Sequence, residues 1–235
     1  MAITLKQAFL ILVSVVILQI QHVPAQTKKD PALDGLLRQM EATGKEFRTF
    51  SANIFQKKYT AVLREFDAPE SGVFLYARAK DGSALLRQEI SKPASRILTI
   101  KGGVATVYQP VLKQAQVLSL GKNKDKAEYL ALGLGQTPGK LRETFDLNYQ
   151  GTENVNGAVC SVLQLKPKSS AAAAFFSSIT LWIKNSSGIP IQQKLQEPNG
   201  DYLLVTFSEE KLNTKISESK FEQKLPKNTD TQVIH

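Results

Sequence analysis

The chain has 235 residues, of which 42% are hydrophobic and 22% are charged, and its formal net charge is +9. This composition fits one large folded domain and excludes disordered, collagen-like and coiled-coil chains. The only histidines are His22 and His235, and the only cysteine is Cys160. Catalysis by a histidine-activated serine or cysteine, a zinc site of clustered histidines and cysteines, and an internal disulfide are therefore excluded. We expect Cys160 to be a small buried apolar residue.

The N-terminal segment predicts a signal peptide. Lys6 precedes an apolar run from Ala8 to Leu18, and small residues near Ala25 are typical of a cleavage site. The run is shorter than the roughly 20 apolar residues that a membrane-spanning helix needs. We predict a cleaved signal peptide over residues 1–25 and a single exported domain over residues 26–235.

The exported part opens with a predicted amphipathic helix from Asp30 to about Thr43. Asp30 can accept hydrogen bonds from the first free amides, and Pro31 suits the first helical position. Its apolar residues recur at helical spacing and would cover another element. They are Leu33, Leu36, Leu37 and Met40.

Short β-rich runs alternate with turn signals through most of the remaining chain. The predicted strands are Thr49 to Lys58, Gly72 to Arg78, Leu85 to Ile90, Ser95 to Ile100, Val104 to Tyr108, Ala115 to Leu120, Phe145 to Tyr149, Ala158 to Lys166, Ser178 to Lys184, Ile189 to Gln196, and Tyr202 to Ser208. Glycine-containing turns between them, such as Asn156-Gly157 and Asn199-Gly200, predict hairpins and an antiparallel sheet. Two short helices are predicted as an insertion, Asp125 to Leu134 and Pro138 to Thr144.

Several strands are apolar in both alternating phases, including Val73 to Tyr76, Leu181 to Ile183, and Leu203 to Val205. A sheet with one wet face would alternate, so both faces of these strands have packing partners or a ligand. One interpretation is a two-layer sandwich or closed barrel with a filled core. The other is a curved sheet whose concave apolar face is covered by amphipathic helices and encloses a cavity for an apolar ligand.

The positive charge does not indicate a nucleic-acid interface. Lysines are scattered or interleaved with acids, as in Lys122 to Glu128, instead of forming a basic stripe. The charge fits weak attraction to an anionic membrane or an acidic partner, or a solvated face that aids solubility.

Weak motifs follow one another in a fixed order along nearly the whole exported chain. They are Phe50 to Gln56, Ser71 to Arg78, Leu86 to Glu89 with Pro93, Gly102, Val107 to Pro110, Leu163 to Pro167, Ile179 to Ile183, and Phe221 to Pro226. Together with the N-terminal helix, this series resembles the periplasmic carriers of outer-membrane lipoproteins, the LolA-like family.

The resemblance implies a mainly β (α+β) fold, in which a strongly curved antiparallel sheet forms an unclosed barrel with an α-helical lid over an apolar cavity. It implies a periplasmic carrier, not an enzyme, that needs no cofactor and shuttles acylated lipoproteins from the inner to the outer membrane. The implied donor is the inner-membrane lipoprotein-releasing ABC transporter, and the acceptor is an outer-membrane receptor or the membrane itself. A monomer without nucleic-acid partners is expected.

The resemblance and the strand pattern together predict site residues. The predicted cavity residues are Phe50, Ile54, Phe74, Tyr76, Ile100, Trp182 and Phe207. The predicted lid residues are Leu33, Leu36, Leu37 and Met40 on the first helix and Leu130, Leu132 and Leu134 on the insertion. Arg78 matches a family arginine that bonds lid carbonyls and latches the empty carrier closed, although Ala79 replaces the proline that usually follows it.

Three alternatives stay open from the sequence. The chain could carry a glycolipid or another amphiphile, because such a cargo needs the same apolar cavity. It could be a regulatory module that senses lipids or lipoproteins on the same fold. An enzyme is the third alternative, and no motif supports it.

Overall fold

A single β-sheet dominates the computed structural model, which describes residues 30–79, 81–120 and 129–234. The predicted signal peptide therefore lies outside the described residues. Within those residues the sheet has thirteen strands. They are β1 (Thr49–Thr60), β2 (Glu65–Phe66), β3 (Glu70–Arg78), β4 (Ala84–Lys92), β5 (Arg96–Lys101), β6 (Val104–Gln109), β7 (Gln114–Ser119), β8 (Phe145–Val155), β9 (Ala158–Pro167), β10 (Ser178–Lys184), β11 (Ile189–Gln196), β12 (Tyr202–Leu212) and β13 (Asp230–Ile234).

The strand order is β13-β7-β6-β5-β4-β3-β1-β12-β11-β10-β9-β8, with the short β2 paired to β1. Every pairing is antiparallel except that of β13 with β7, which is parallel. In the described part of the chain, β8 and β13 do not pair with each other, so the sheet is an unclosed half-barrel. The predicted unclosed barrel is thus confirmed, and the alternative of a closed barrel or a two-layer sandwich is wrong.

Helices lie against one face of this sheet. They are α1 (Pro31–Glu46), α2 (Pro138–Thr144) and α3 (Ser170–Ala173), with 3-10 turns at Tyr129–Ala131 and Glu218–Phe221. The Thr137 hydroxyl accepts a hydrogen bond from the Lys140 amide, which caps α2, and Pro138 begins the helix. No helix within residues 30–79, 81–120 and 129–234 is long and apolar enough to span a membrane.

Side chains alternate between a concave and a convex face. On β1 the concave side buries Phe50, Ala52, Ile54 and Gln56. Bulges interrupt the ladder, as between Ser51 and Asn53, and such irregularities increase the bend of a sheet. Antiparallel pairing and local bulges thus produce the curvature that a concave core requires.

The concave core has two parts. One part lies on β1, β3, β4, β5 and β12 and includes Phe50, Phe74, Tyr76, Ile100 and Phe207, against which Ala131 and Leu134 of the insertion pack. The other part lies on β8 to β10 and is covered by α1, α2 and α3. It includes Leu36, Leu37, Met40, Leu141, Leu163, Ile179 and Leu181.

Two smaller apolar clusters lie on the convex face. Phe221, which is almost fully buried, packs against Ala77 and Leu85 and holds the C-terminal segment to the sheet. Cys160 is fully buried beside Val155 and Ile191, as expected for a packing residue, and this burial raises the pKa of its thiol.

The insertion differs from the sequence prediction. Pro138 to Thr144 is helical as predicted, but the described end of the Asp125 to Leu134 segment is a 3-10 turn followed by an irregular turn. Gly133 and Gly135 have φ of 81° and 67°, and an α-helix does not accommodate such values. We call residues 129–137 the lid segment.

Gly135 should be far more sensitive to alanine than Gly102. A Cβ at Gly135 would lie 2.4 Å from the Phe47 ring, whereas one at Gly102, whose φ is a similar 60°, would meet nothing within 4 Å. We expect the Gly102→Ala variant to lose about 1 kcal/mol of unfolding free energy from backbone strain alone. The Gly135→Ala variant adds a steric clash and should lose about 2–4 kcal/mol. Urea denaturation measures both, and equal losses would contradict the close packing of the lid segment.

Candidate functional site

Six of the seven predicted cavity residues come together on the concave face. They are Phe50, Ile54, Phe74, Tyr76, Ile100 and Phe207, and each is at most 7% exposed. Three aromatic rings form their centre, with Phe50 and Phe74 at centroid distances of 5.4 and 5.2 Å from Phe207. The alternation inferred for β1, β3, β5 and β12 therefore has the correct phase.

Trp182 lies on the opposite, convex face, contrary to the prediction. Its indole N–H donates to the Glu153 carboxylate at 2.7 Å, and its ring packs against the Cys160 cluster. Leu181, its neighbour, faces the concave side and is fully buried. The alternation of β10 already indicates this arrangement, because Ile179, Leu181 and Ile183 form an apolar phase whereas Trp182 shares its phase with Ser178, Thr180 and Lys184.

The predicted lid residues occupy two separate places. Leu36, Leu37 and Met40 of α1 are buried over β8 to β10 together with Leu132, and Leu33 packs at the border of this cluster. Leu134, which is fully buried, instead belongs to the aromatic cluster of the concave face. Leu130 lies in the 3-10 turn, and its side chain is outside the described part of the structure.

Arg78 connects the sheet to the lid segment. Its guanidinium donates a hydrogen bond to the Gly135 carbonyl and lies 5.9 Å from the centroid of the Phe47 ring. Phe47 in turn contacts Tyr76 at a centroid distance of 5.7 Å. The arginine that the sequence predicts as a latch therefore bonds a lid carbonyl, in a turn and not in a helix.

Gln193 makes a second connection to the lid segment that the sequence analysis missed. Its side-chain amide donates to the Leu132 carbonyl at 3.0 Å, and the residue is only 1% exposed. The lid segment is thus fixed to β3 by Arg78 and to β11 by Gln193. A buried hydrogen bond of this kind contributes about 1 kcal/mol, and one from a charged donor about 1.5–3 kcal/mol.

Helix α1 has its own connections at the β10–β11 turn. The Thr43 hydroxyl donates to the Ser187 carbonyl at 2.9 Å, and the Gln39 amide donates to the Asn185 carbonyl. A Cβ at Gly188 would lie 2.7 Å from the Thr43 hydroxyl, so helix and turn are in close contact. These bonds and the apolar stripe attach α1 to the β10–β11 turn and to the cluster over β8 to β10.

An apolar cavity of about 270 Å³ lies on the concave face beyond the aromatic cluster. Apolar side chains from six strands line it, namely Ile54, Phe74, Leu98, Val107, Leu195, Leu203, Val205 and Phe207. Gln56, Gln88, Arg96 and Gln193 add polar groups to the same wall. The cavity therefore joins a mainly apolar surface to a small polar one.

A hydrogen-bond network organises the polar part of this wall. Glu70 accepts from Arg96 at 2.8 Å and from Gln56 at 2.5 Å, and Gln56 accepts from Gln88 at 2.8 Å. The network crosses β1, β3, β4 and β5, so it fixes four neighbouring strands at one end of the concave face. Groups held this way are positioned to hydrogen-bond the polar part of a ligand.

A second cavity, of about 720 Å³, lies at the other end of the concave face, beside Arg78. Tyr76, Ile100 and Leu120 form its apolar wall, and Gly135 and Thr137 border it from the lid segment. The lid segment therefore borders this second cavity.

A cleft of about 850 Å³ lies on the convex face, and its wall is mainly charged. Val73 and Leu75 form part of its floor, but charged residues of β4 and the C-terminal segment dominate the wall, including Arg87, Glu89, Lys220 and Glu222. Since charged walls disfavour an acyl chain, the concave cavities are the better candidate site for an apolar ligand.

The three glutamines carry a sequence signal that the prediction overlooked. Each occupies the core-facing phase of a strand: Gln56 lies two residues after Ile54, Gln88 lies between Leu86 and Ile90, and Gln193 lies two residues before Leu195. A polar residue at an apolar position must find a hydrogen-bond partner when it is buried. This pattern could have indicated a polar wall inside the concave face.

Solved structures with the same architecture support this description of the fold. The crystal structure of MucB shares 13% identity at a TM-score of 0.52, and the alignment covers 83% of this chain and 64% of MucB. An uncharacterised conserved protein from Thermus thermophilus shares 13% identity at a TM-score of 0.53, covering 86% of this chain and 99% of that one.

No protein-family model matches the sequence, and no curated protein matches it. Among the solved structures, the alignment with this chain spans slightly less than two thirds of MucB and nearly the whole of the Thermus protein. At these identities the likeness establishes the fold alone. The structure therefore has the LolA-like half-barrel fold that the sequence motifs predict.

Proposed function

We propose that this protein is a non-enzymatic carrier that holds the acyl chains of a lipoprotein or related amphiphile on the concave face of its half-barrel. The observation that carries the proposal is the 270 Å³ cavity, in which apolar walls meet the network of Glu70, Arg96, Gln56 and Gln88. This combination matches a ligand with an apolar chain and a polar end.

The energetics explain why such a cargo needs a carrier. Each methylene that is withdrawn from water contributes about 0.8 kcal/mol, so an acyl chain of roughly sixteen carbons resists crossing water by on the order of 10 kcal/mol. A soluble carrier must hide the whole chain. The cavity of about 270 Å³ is at the lower end of ligand-pocket sizes, so a full chain requires the space that the lid segment occupies.

The lid segment supplies that space reversibly. Its Leu134 fills the concave face in this structure, and two side-chain donors, Arg78 and Gln193, hold it there. A cargo chain and Leu134 compete for the same aromatic surface. Binding therefore displaces the lid segment, and its return favours release without ATP.

We further propose that residues 1–25 direct the chain to the periplasm and are removed, leaving one carrier domain over residues 26–235. The donor would be an inner-membrane lipoprotein-releasing ABC transporter, and the acceptor an outer-membrane receptor or the membrane. The apolar cavity fits a glycolipid cargo as well as it fits a lipoprotein. Identification of the bound molecule is therefore the decisive test.

Native mass spectrometry of the protein isolated from the periplasm of its producing cell tests the proposal directly. We expect a bound acylated polypeptide that dissociates on activation. A free glycolipid would assign the same cavity to lipid transport. The carrier function would be overturned by two results together. The protein isolated from cells that make lipoproteins would carry no acyl chain, and it would bind none after incubation with purified lipoproteins.

Filling the cavity should weaken acyl-chain binding. Val107 lines the cavity, whereas Val104 is 39% exposed on the other face of the same strand. We expect the Val107→Trp variant to bind a fluorescent fatty acid at least tenfold more weakly, because the indole occupies the ligand's space. The matched Val104→Trp variant should bind normally. Equal affinities of both variants would place the binding site elsewhere.

Removing the latch should alter release more than folding. The Arg78→Leu variant loses a charged hydrogen bond to the lid segment, which contributes about 1.5–3 kcal/mol to closure. We expect the cooperative unfolding transition to be retained, while transfer of a fluorescent acylated peptide to acceptor vesicles slows about tenfold or more.

The Arg87→Leu variant is the control, because it removes an arginine that pairs with Glu89 on the convex face at 2.9 Å. Its transfer rate should match that of the unmodified protein. An unchanged transfer rate in the Arg78→Leu variant would argue against the latch.

A further inference from the structure

The four most exposed large apolar side chains of the described residues lie in two hairpin tips. Val62 and Leu63 are 86% and 61% exposed in the tip after β1, and Val111 and Leu112 are 78% and 60% exposed in the tip after β6. Single exposed apolar residues are common on protein surfaces, whereas a pair of highly exposed ones at each of two turn tips is unusual.

The two tips are built alike. In the first, the Arg64 amide donates to the Ala61 carbonyl at 3.2 Å, and in the second the Lys113 amide donates to the Pro110 carbonyl at 3.2 Å. Arg64 and Lys113 both have positive φ, at 57° and 52°. Each tip therefore presents a Val-Leu pair followed immediately by a cation, and neither includes an acid.

Both tips lie at the same end of the sheet. From β1 through β3, β4 and β5 to β6 every pairing is antiparallel, so β1, β4 and β6 run in the same direction. The tips follow the C-terminal ends of β1 and β6. The first tip extends past the last β1–β3 pair at Gln56, whereas β12 pairs with β1 as far as Tyr59. The Asp201 carboxylate accepts a hydrogen bond from the Ala61 amide of this tip at 2.8 Å.

An aromatic cluster lies beneath the first tip. The rings of Tyr59 and Tyr202 stack at a centroid distance of 4.9 Å, and Phe66 contacts both. The ammonium groups of Lys57 and Lys194 lie 4.1 and 4.2 Å from the Phe66 and Tyr202 ring centroids. Amphipathic rings beside cationic side chains are the residues that proteins place at a membrane–water interface.

The 270 Å³ cavity lies in the same half of the molecule. Leu203 on its wall is next to Tyr202, and Val107 lies two residues before the end of β6. The strands that form the cavity wall thus lead directly to the tips. A flat surface that met both tips would face this end of the concave cavity.

We propose that the two tips dock this end of the half-barrel on an anionic lipid bilayer, with Val62, Leu63, Val111 and Leu112 inserted at the interface. Arg64 and Lys113 are placed to pair with lipid phosphates. Glu65 and Asp67 follow the first tip, so the electrostatic attraction is modest and apolar insertion supplies most of the affinity. The proposal rests on the proposed function in that docking would bring the cavity to the membrane that receives its cargo.

Vesicle flotation of the protein, purified after export so that residues 1–25 do not contribute, tests the docking. The probe is a vesicle of equimolar phosphatidylcholine and phosphatidylglycerol. We expect the unmodified protein to float with it and the variant carrying Val62→Asp, Leu63→Asp, Val111→Asp and Leu112→Asp to lose at least tenfold in bound fraction, because four inserted apolar groups become charged.

The matched control is Val159→Asp, because Val159 is 56% exposed at the opposite end of the sheet. This variant should float within twofold of the unmodified protein. The proposal would be overturned if the unmodified protein did not float, or if the tip variant floated equally well. In either case the exposed tips would be better explained as a binding site for a protein partner.

Binding of a fluorescent fatty acid without vesicles separates this proposal from the carrier function. The tip variant should bind the fatty acid as the unmodified protein does, since the tips lie outside the cavity lining. This also verifies that the variant is folded. Flotation without fatty-acid binding would contradict the carrier function alone, and fatty-acid binding without flotation would contradict the docking alone.

Discussion

The structure depends on how an open sheet covers its own concave apolar face. Within the described residues the edge strands β8 and β13 do not pair, so closure into a barrel does not bury Phe50, Phe74 and Phe207. Separate chain segments must cover this face instead. A cover that is attached through side-chain contacts can leave and return without breaking the sheet, whereas a closed barrel would have to open its backbone ladder.

The two parts of the cover are attached in different ways. Helix α1 places Leu36, Leu37 and Met40 in an apolar cluster and is bonded to the β10–β11 turn. The lid segment has a short 3-10 turn, two positive-φ glycines and two side-chain donors that reach it from the sheet. Both parts are buried, but the lid segment alone reaches the aromatic cluster, through Ala131 and Leu134. The proposed displacement by a cargo chain therefore concerns the lid segment.

The sequence was most informative where a single periodicity applied. Helix α1 and most strands were predicted because their apolar spacing is unambiguous, and Phe50 and Ile54 were placed correctly on the concave face. Trp182 was misplaced although β10 has a clear alternation: Ile179, Leu181 and Ile183 form its buried phase, and Trp182 lies in the phase of Thr180 and Lys184. The size of an aromatic side chain was given more weight than its position in the alternation.

The short strands β2 and β13 were missed for a different reason. The Glu65–Phe66 and Asp230–Ile234 strands are exposed on both faces, so they lack the apolar alternation on which strand prediction depends. Asp125 to Leu134 was predicted as a helix because it lacks strand alternation, and the positive φ of Gly133 and Gly135 is incompatible with a helix at the end of that segment. The contacts of Gly135 with Phe47 and Arg78 form only in the folded structure.

The two ends of the concave face differ in chemistry, and this difference gives the proposed cargo an orientation. The lid segment and Arg78 lie at one end, whereas the network of Glu70, Arg96, Gln56 and Gln88 lies at the other, towards the hairpin tips. An amphiphile gains hydrogen bonds only if its polar part lies at the network, and its chain then extends over the aromatic cluster towards Leu134. In this orientation the chain end would displace the lid segment while the polar part stayed near the tips. Return of Leu134 to the aromatic cluster would then expel the chain towards the end of the molecule that we propose docks on the bilayer.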